Sequence, residues 1–392
     1  LYQLAGGRMS GLQGLQDRFR EKFGTEALVY RAPGRVNLIG EFTDFNDGFV
    51  MPAAIGSYCW VAIGPRTDGR FSIHSENFDE TVTYNTADGG PRPGHKWFDY
   101  PLGVVSVLQM AGFPLSGANL LIRGEVPMGA GLSSSAAIEV ATGYALLDSL
   151  GVEIQRTKLA QLAQQAENEF VGARCGIMDQ FTAAHGRRGN AILLDCRTLE
   201  YEFEPIPDSV RLVICNTMVK HAHSSGEYNK RRAECEEAVR KLAEYDPNIR
   251  ALRDVTVDQI QKHRADLPDA VYRRAMHVVA ENARVLDAVK ALRSGDLAAF
   301  GGRMAESHVS LRDLFEVSSP ELDRMVEFAA GQPGVIGARM TGGGFGGCTF
   351  NLVEAAQAEP FRACIAARYE EAFKIRPDIQ ICEPAEGVGR VA

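Results

Sequence analysis

The sequence predicts an α+β protein built as two compact units. Three observations carry this expectation: short β-rich runs broken by turn residues from Ala27 to Ile63, helical periodicity after Ser133, and a length of 392 residues. One hydrophobic core rarely serves a chain that long, whereas two ordinary domains do.

Taken in chain order, Leu1 to Arg8 has neither a basic start nor an apolar stretch of useful length, so it is expected to be an expression scar, with Met9 as the native start. Gly64-Pro65-Arg66 and Thr67-Asp68-Gly69 punctuate the first strands as a hairpin. The longest uncharged stretch, Tyr100 to Ile122, would reach across a bilayer as a helix. Pro101, Gly103, Gln109, Gly112, Pro114 and Asn119 interrupt it, so no membrane span is expected. After Ser133, the residues Ala136, Ala137, Val140, Ala141, Tyr144, Ala145 and Leu147 repeat on one helical face, and a second helical run covers Leu159 to Phe170. Strand-like Leu212 to Cys215 follows the proline-marked Glu204 to Asp208. The boundary is therefore expected near residue 206, with an N-terminal domain over 9–205 and a C-terminal domain over 206–392. An amphipathic helix from about Ala275 to Arg293 carries Val278, Val279, Val285, Leu286, Val289 and Leu292 on its apolar stripe, with Gly295 just past its end.

Composition narrows the function classes. Hydrophobic residues at 45% and charged residues at 23% fit an ordinary folded chain. A formal net charge of −8 without a long basic run argues against a nucleic-acid partner and leaves any anionic ligand to local arrangements of Arg and backbone N–H. The eight cysteines form no Cys-x-x-Cys pair and have no His at zinc-ligand spacing, so they read as buried reduced thiols. A cytoplasmic location is expected.

Four segments carry chemistry. Pro127 to Ala137 (Pro-Met-Gly-Ala-Gly-Leu-Ser-Ser-Ser-Ala-Ala) leads small residues into a helix. Such a run lets several backbone N–H groups face one anion at a helix N-terminus, or it is a serine N-cap and no more. No Gly-x-x-x-x-Gly-Lys-Ser/Thr loop and no protein-kinase catalytic loop occurs, so any phosphate site needs a different design. Met340 to Cys348 places five glycines within six positions, which suits either a mobile turn or backbone pressed against a ligand or another loop. Arg31 to Gly48 concentrates Arg35, Asn37, Glu41, Asp44 and Asn46, a density that fits a polyhydroxylated ligand or a solvated loop. Cys175-Gly-Ile-Met-Asp-Gln180 sets Asp179 among apolar neighbours, where an Asp usually caps a helix.

In this order and spacing the four segments closely resemble the GHMP small-molecule kinases and, within them, the galactokinases. The resemblance covers about residue 20 to 390 and includes His221 to Glu236, with Ser225-Gly-Glu-Tyr228 and Arg231-Arg232. It implies a two-domain GHMP kinase fold with the active site in the interdomain cleft. ATP and Mg²⁺ would be bound, and galactose phosphorylated at its C1 hydroxyl. Gly129, Ala130, Gly131, Leu132, Ser133, Ser134 and Ser135 would wrap the ATP phosphates; Ser135, or its neighbour Ser134, and Glu167 would hold Mg²⁺, which prefers hard oxygen ligands. Asp179 would face the C1 hydroxyl as base or electrostatic orienter, with Arg35 beside both it and the transferring phosphoryl group. Glu41, Phe42, Thr43, Asp44, Gly176 and Tyr228 would form the sugar site. Trp97 and Tyr100 either wall the adenine or belong to the core. The chain would act as a monomer or weak homo-oligomer.

One departure stands out. The family pattern Gly-Glu-His-Thr-Asp-Tyr-Asn reads Gly40-Glu41-Phe42-Thr43-Asp44-Phe45-Asn46 here. Either a polar sugar contact at C6 is lost, which points to a C6-modified or N-acetylated galactose relative as an alternative substrate, or Phe42 packs behind the sugar loop. A non-catalytic galactose and ATP sensor is a further alternative; the complete Leu132 to Ala136 segment and the presence of Asp179 disfavour it.

Overall fold

A computed structural model describes residues 12–220 and 224–392. The expectation for Leu1 to Arg8 and the His221 start of the galactokinase-like stretch lie outside the described residues.

The strands are β1 (Leu28–Asn37), β2 (Phe49–Val50), β3 (Pro52–Pro65), β4 (Arg70–Ser75), β5 (Glu80–Asn85), β6 (Ala118–Gly124), β7 (Asn190–Asp195), β8 (Tyr201–Pro205), β9 (Val210–Lys220), β10 (Val335–Thr341), β11 (Gly346–Glu354), β12 (Asp378–Cys382) and β13 (Gly389–Arg390). They form a six-stranded sheet ordered β13-β1-β3-β6-β4-β5, a four-stranded sheet ordered β10-β11-β9-β12, and a three-stranded sheet ordered β2-β7-β8. The helices are α1 (Leu12–Phe23), α2 (Asp99–Met110), α3 (Ser134–Asp148), α4 (Arg156–Gln165), α5 (Met178–His185), α6 (Ser224–Leu242), α7 (Val257–Lys262), α8 (Asp269–Arg293), α9 (Leu297–Ser310), α10 (Pro320–Ala330) and α11 (Ala358–Phe373).

Small side chains bring α3 close to the large sheet. Ala136, Ala137, Val140 and Ala141 are fully buried, and α3 packs on β1 and β3. The uncharged Tyr100 to Ile122 stretch divides into α2, a turn and β6, and among the described residues no helix is long and apolar enough to cross a membrane.

Two readings are corrected. The turn after Pro65 is present, but it does not join a hairpin: β6 lies between β3 and β4 and runs parallel to β4. The turn instead bonds to the segment leading into β6, through Arg66 N–H to Gly117 O at 2.9 Å and Gly69 N–H to Ser116 O at 2.8 Å. The helix expected from about Ala275 begins at Asp269. Arg274, His277, Glu281 and Asn282 are buried on it, and these polar groups interrupt the apolar stripe by which a helix is recognised.

β1 determines where the chemistry sits. Its pairing with β3 shifts register between Pro33 and Arg35. Proline cannot donate to the ladder, and a bulge re-aims the residues beside it. Gly34 is required because a Cβ there would lie 2.6 Å from Leu132 O.

Candidate active site

Arg35 leaves the bulge and reaches Asp179 in the first turn of α5. Its Nε donates to Asp179 Oδ1 at 2.8 Å and its Nη2 to Oδ2 at 3.0 Å, a bidentate pair. Ser133 Oγ donates to the same Oδ2 at 2.5 Å, and Arg35 Nη1 donates to Gly131 O at 2.5 Å. Asp179 therefore does not cap its helix: the N-cap position is Ile177, with no side-chain cap bond. Ser133 also forgoes capping, since it occupies the N-cap of α3 at φ 60° with its hydroxyl turned to Asp179. A serine held in the left-handed region stores modest strain, as functional loops often do.

A cavity of about 300 Å³ opens on this cluster, bordered by Arg35, Glu41, Asp44, Ser133, Asp179 and Tyr228. A second, of about 500 Å³, lies against it, with Phe78, Lys96, Trp97 and Met128 in its wall. Tyr100, Gly129, Ser134 and Ser135 line both. The serine loop thus forms the partition between a polar chamber and a more apolar one. Trp97 stacks on Phe78 at 5.8 Å and donates from Nε1 to Glu80 at 2.7 Å.

The glycine-rich segment packs against that partition. A Cβ on Gly342 would lie 2.7 Å from Gly131 O, and one on Gly347 3.0 Å from Ala130 O; both glycines hold positive φ. Side chains are excluded because two backbones touch there. The loop itself is shorter than the glycine run implies, since Gly346 and Gly347 already belong to β11, entered through a register shift.

Glu41 is 1% exposed and held firmly. Its Oε1 accepts from Gly342 N–H at 2.8 Å and Thr341 Oγ1 at 3.0 Å, and its Oε2 from Asn37 Nδ2 at 2.8 Å. Asp44 lies against Gly176, where a Cβ would come within 2.1 Å of its Oδ2. Burial, helped by the nearby carboxylates of Asp179 and Glu41, pushes Asp44 up to about 7. Tyr228 stays protonated, its phenol pushed well up by burial and then by Asp44. Phe42 lines the cavity yet is 5% exposed, with ring centroids 4.4 Å from Phe315, 5.7 Å from Tyr228 and 6.3 Å from Phe45. Its φ of 65° is unusual for a bulky residue. Thr43 does not border the chamber: its buried hydroxyl has its single proton between two carbonyls, Phe49 O at 2.6 Å and Gly40 O at 2.9 Å. Ala130, within the serine loop, is buried.

Glu167, which falls in the expected helical run Leu159 to Phe170, is buried. The chain widens into a π-helical turn over Ala166–Val171, which turns this side chain inward. Gln180 Nε2 donates to it at 2.5 Å and to Glu139 at 3.1 Å, and the Ser135 hydroxyl is also bonded to it. Burial and the charge of Asp179 push Glu167 up to about 7. Glu139 Oε1 and Gln180 Oε1 are buried without a hydrogen-bond partner among the described residues. Buried carboxylates short of positive charge are chemically compatible with a hard divalent cation, which Ser135 and Glu167 would hold, although the described residues contain no cluster of three or more His, Cys, Asp or Glu at metal-ligand distance. Glu139 and Gln180 escaped the sequence reading. A lone carboxylate within the small-residue run of α3 was the available signal.

Comparison with known proteins agrees along the chain. Residues 17–65 match the galactokinase galactose-binding signature, 99–187 the GHMP kinases N terminal domain and 288–371 the GHMP kinases C terminal family. A galactokinase of Roseiflexus sp. (strain RS-1) is 47% identical over 378 residues, 96% of each chain. A galactokinase of Thermotoga neapolitana is 43% identical over 362 residues, covering 92% of this chain and 99% of that one. The crystal structure of Lactococcus lactis galactokinase complexed with galactose superposes with a TM-score of 0.93 at 36% identity, over 97% of this chain and 99% of that one. Methanococcus jannaschii mevalonate kinase, at 19% identity and a TM-score of 0.64 over 92% of this chain and 99% of its own, shares the fold alone. With near-half identity over almost its whole length and a serine loop set between two chambers, the chain belongs to the galactokinases of the GHMP kinase superfamily.

Proposed function

We propose that the chain transfers the γ-phosphoryl group of ATP to the C1 hydroxyl of galactose, giving galactose 1-phosphate and ADP. The observation that carries this reading is the Arg35, Asp179 and Ser133 cluster in the smaller cavity, beside the Gly129, Ser134 and Ser135 partition it shares with the larger one. The sugar occupies the smaller chamber, its hydroxyls met by Glu41, Asp44, the Gly176 backbone and Tyr228. The nucleotide occupies the larger one, its base near Trp97 and Tyr100 and its phosphates along Gly129 to Ser135, where first-turn N–H groups of α3 are free to donate.

The C1 oxygen forms the new bond to phosphorus as the bond to the ADP oxygen breaks, and the hydroxyl proton passes to Asp179. Because phosphoryl transfer is largely dissociative, Asp179 orients the hydroxyl first and takes its proton late. Arg35 keeps that carboxylate aligned and faces the charge that develops on the transferring group. Ser135 and Glu167 would hold Mg²⁺, which would supply charge neutralisation on the phosphates.

The chain is proposed to act as a monomer or weak homo-oligomer. The thiols are free among the described residues and suit a reducing cytoplasm. We propose a domain division near residue 206, in the stretch joining β8 to β9; the last strand, β13, pairs with β1. The aromatic setting of Phe42 supports a second reading in which a galactose relative altered at C6 is also accepted. Coupled ADP release across a panel of sugars at equal concentration tests these readings. Galactose as a leading substrate supports the proposal, a C6-modified sugar far ahead of galactose supports the second, and binding of both ligands without turnover indicates a sensor.

A further inference from the structure

Arg339 on β10 is 0% exposed. Its Nη1 donates to Asn37 O at 3.0 Å and Leu38 O at 3.2 Å and lies 3.4 Å from Glu41 Oε1. Its Nε and Nη2 have no hydrogen-bond partner among the described residues. A fully buried guanidinium with unused donors is a costly feature, and such features are kept where an alternative would disturb something more important.

What Arg339 holds is the sugar loop. It bonds the end of β1, and Thr341 at the end of its own strand, with Gly342 just past it, bonds Glu41. Gly342 in turn lies against Gly131 of the serine loop. Behind the sugar loop, His277 Nε2 contacts Glu41 O at 3.2 Å, and Glu281 accepts from Gly40 N–H at 3.0 Å. The buried charges Glu41, Arg339 and Glu281, the last paired with half-buried Arg284 on its own helix, thereby knit the first unit to β10 and α8.

We propose that Arg339 is a positioning residue for sugar recognition, fixing the Glu41 carboxylate in the galactose chamber and linking it to the loop that abuts the ATP phosphate site. This rests on the reading of Glu41 as a galactose contact. Nη1 alone makes these contacts, so what the position uses is reach: the guanidinium carries that nitrogen one bond further from the backbone than a lysine stem carries its ammonium. A lysine keeps the charge but not that reach.

The test compares Arg339→Lys, Thr341→Val and Glu41→Gln, alone and with Arg339→Lys in the Glu41→Gln background. Thr341→Val removes a donor to Glu41 without a charge change, so it reports even if Arg339→Lys folds poorly. Arg339→Lys is expected to raise the KM for galactose about tenfold and Thr341→Val about threefold, with kcat and the ATP KM within about twofold of parental. A net hydrogen bond corresponds to roughly three- to tenfold. In the Glu41→Gln background, Arg339→Lys should add little. Galactose-induced thermal shifts should shrink in the same order. If Glu41→Gln weakens galactose while Arg339→Lys and Thr341→Val leave its KM parental, the inference is overturned and the sugar-site reading stands. A parental galactose KM in Glu41→Gln overturns both. Equal losses in the galactose and ATP parameters, persisting in the Glu41→Gln background, assign Arg339 a structural role only and overturn the inference.

Discussion

Replacing Asp179 by Asn changes one oxygen to an NH₂ group at the centre of the cluster. The wild-type carboxylate accepts three hydrogen bonds, two from Arg35 and one from Ser133. An amide retains one acceptor, sets a donor against a donor at the other position, and leaves Arg35, whose side chain is 6% exposed, without its counter-ion. Loss of a positioned proton acceptor costs about 10²- to 10⁴-fold in rate, or about 2.7–5.5 kcal/mol of barrier. Arg35 now also faces the phosphoryl group misaligned, so at least about a 100-fold fall in kcat is expected. The stability cost is smaller than that of breaking a fully buried pair, because the Asp179 side chain is 24% exposed. The variant should therefore fold and still bind ATP. Coupled ADP release with enzyme purified free of host kinase gives kcat, and ATP-induced thermal shifts report nucleotide binding. Near-parental turnover would refute the catalytic role of Asp179.

Three further outcomes follow from neighbouring groups. Glu167→Gln should raise the Mg²⁺ concentration needed for half-maximal activity and weaken Mn²⁺ binding by the free protein, sparing galactose; an unchanged metal dependence would return Glu167 to a packing role. Asp44 ionises near 7, so the galactose KM should fall as pH rises from 6 to 8 and Asp44→Asn should flatten that profile; a profile equally steep in the variant would contradict the assignment. Because its folded value is raised, Asp44 favours the ligand-free fold below the unfolded carboxyl range near 3.9, and this contribution is lost as pH rises through about 7. Phe42→His should raise kcat/KM for galactose about three- to tenfold more than for its 6-deoxy analogue if it restores a contact at C6. Equal changes for the two sugars would leave Phe42 as packing against Phe315 and Tyr228.

What was legible in the sequence was whatever local chemistry marks. The serine loop, the glycine run and the helical face of α3 each follow from residue types within a few turns of chain. The insertion of β6 between β3 and β4 was hidden, because strand order depends on pairing between distant segments. The inward turn of Glu167 depends on one π-helical turn, which the ordinary helical period does not reveal. No local pattern marks Arg339, His277 and Glu281 for burial. Their burial is a property of the assembled interface rather than of any segment.

The central claim is that the chain phosphorylates one particular oxygen of galactose, and the position of the phosphate in the product tests it most directly. Nuclear magnetic resonance of the sugar formed from galactose and ATP should show phosphorus coupled to C1 and its proton, in amounts equal to the ADP released. Phosphorus coupled to any other carbon, or ADP released without a phosphorylated sugar, would contradict the placement of Asp179 against the C1 hydroxyl.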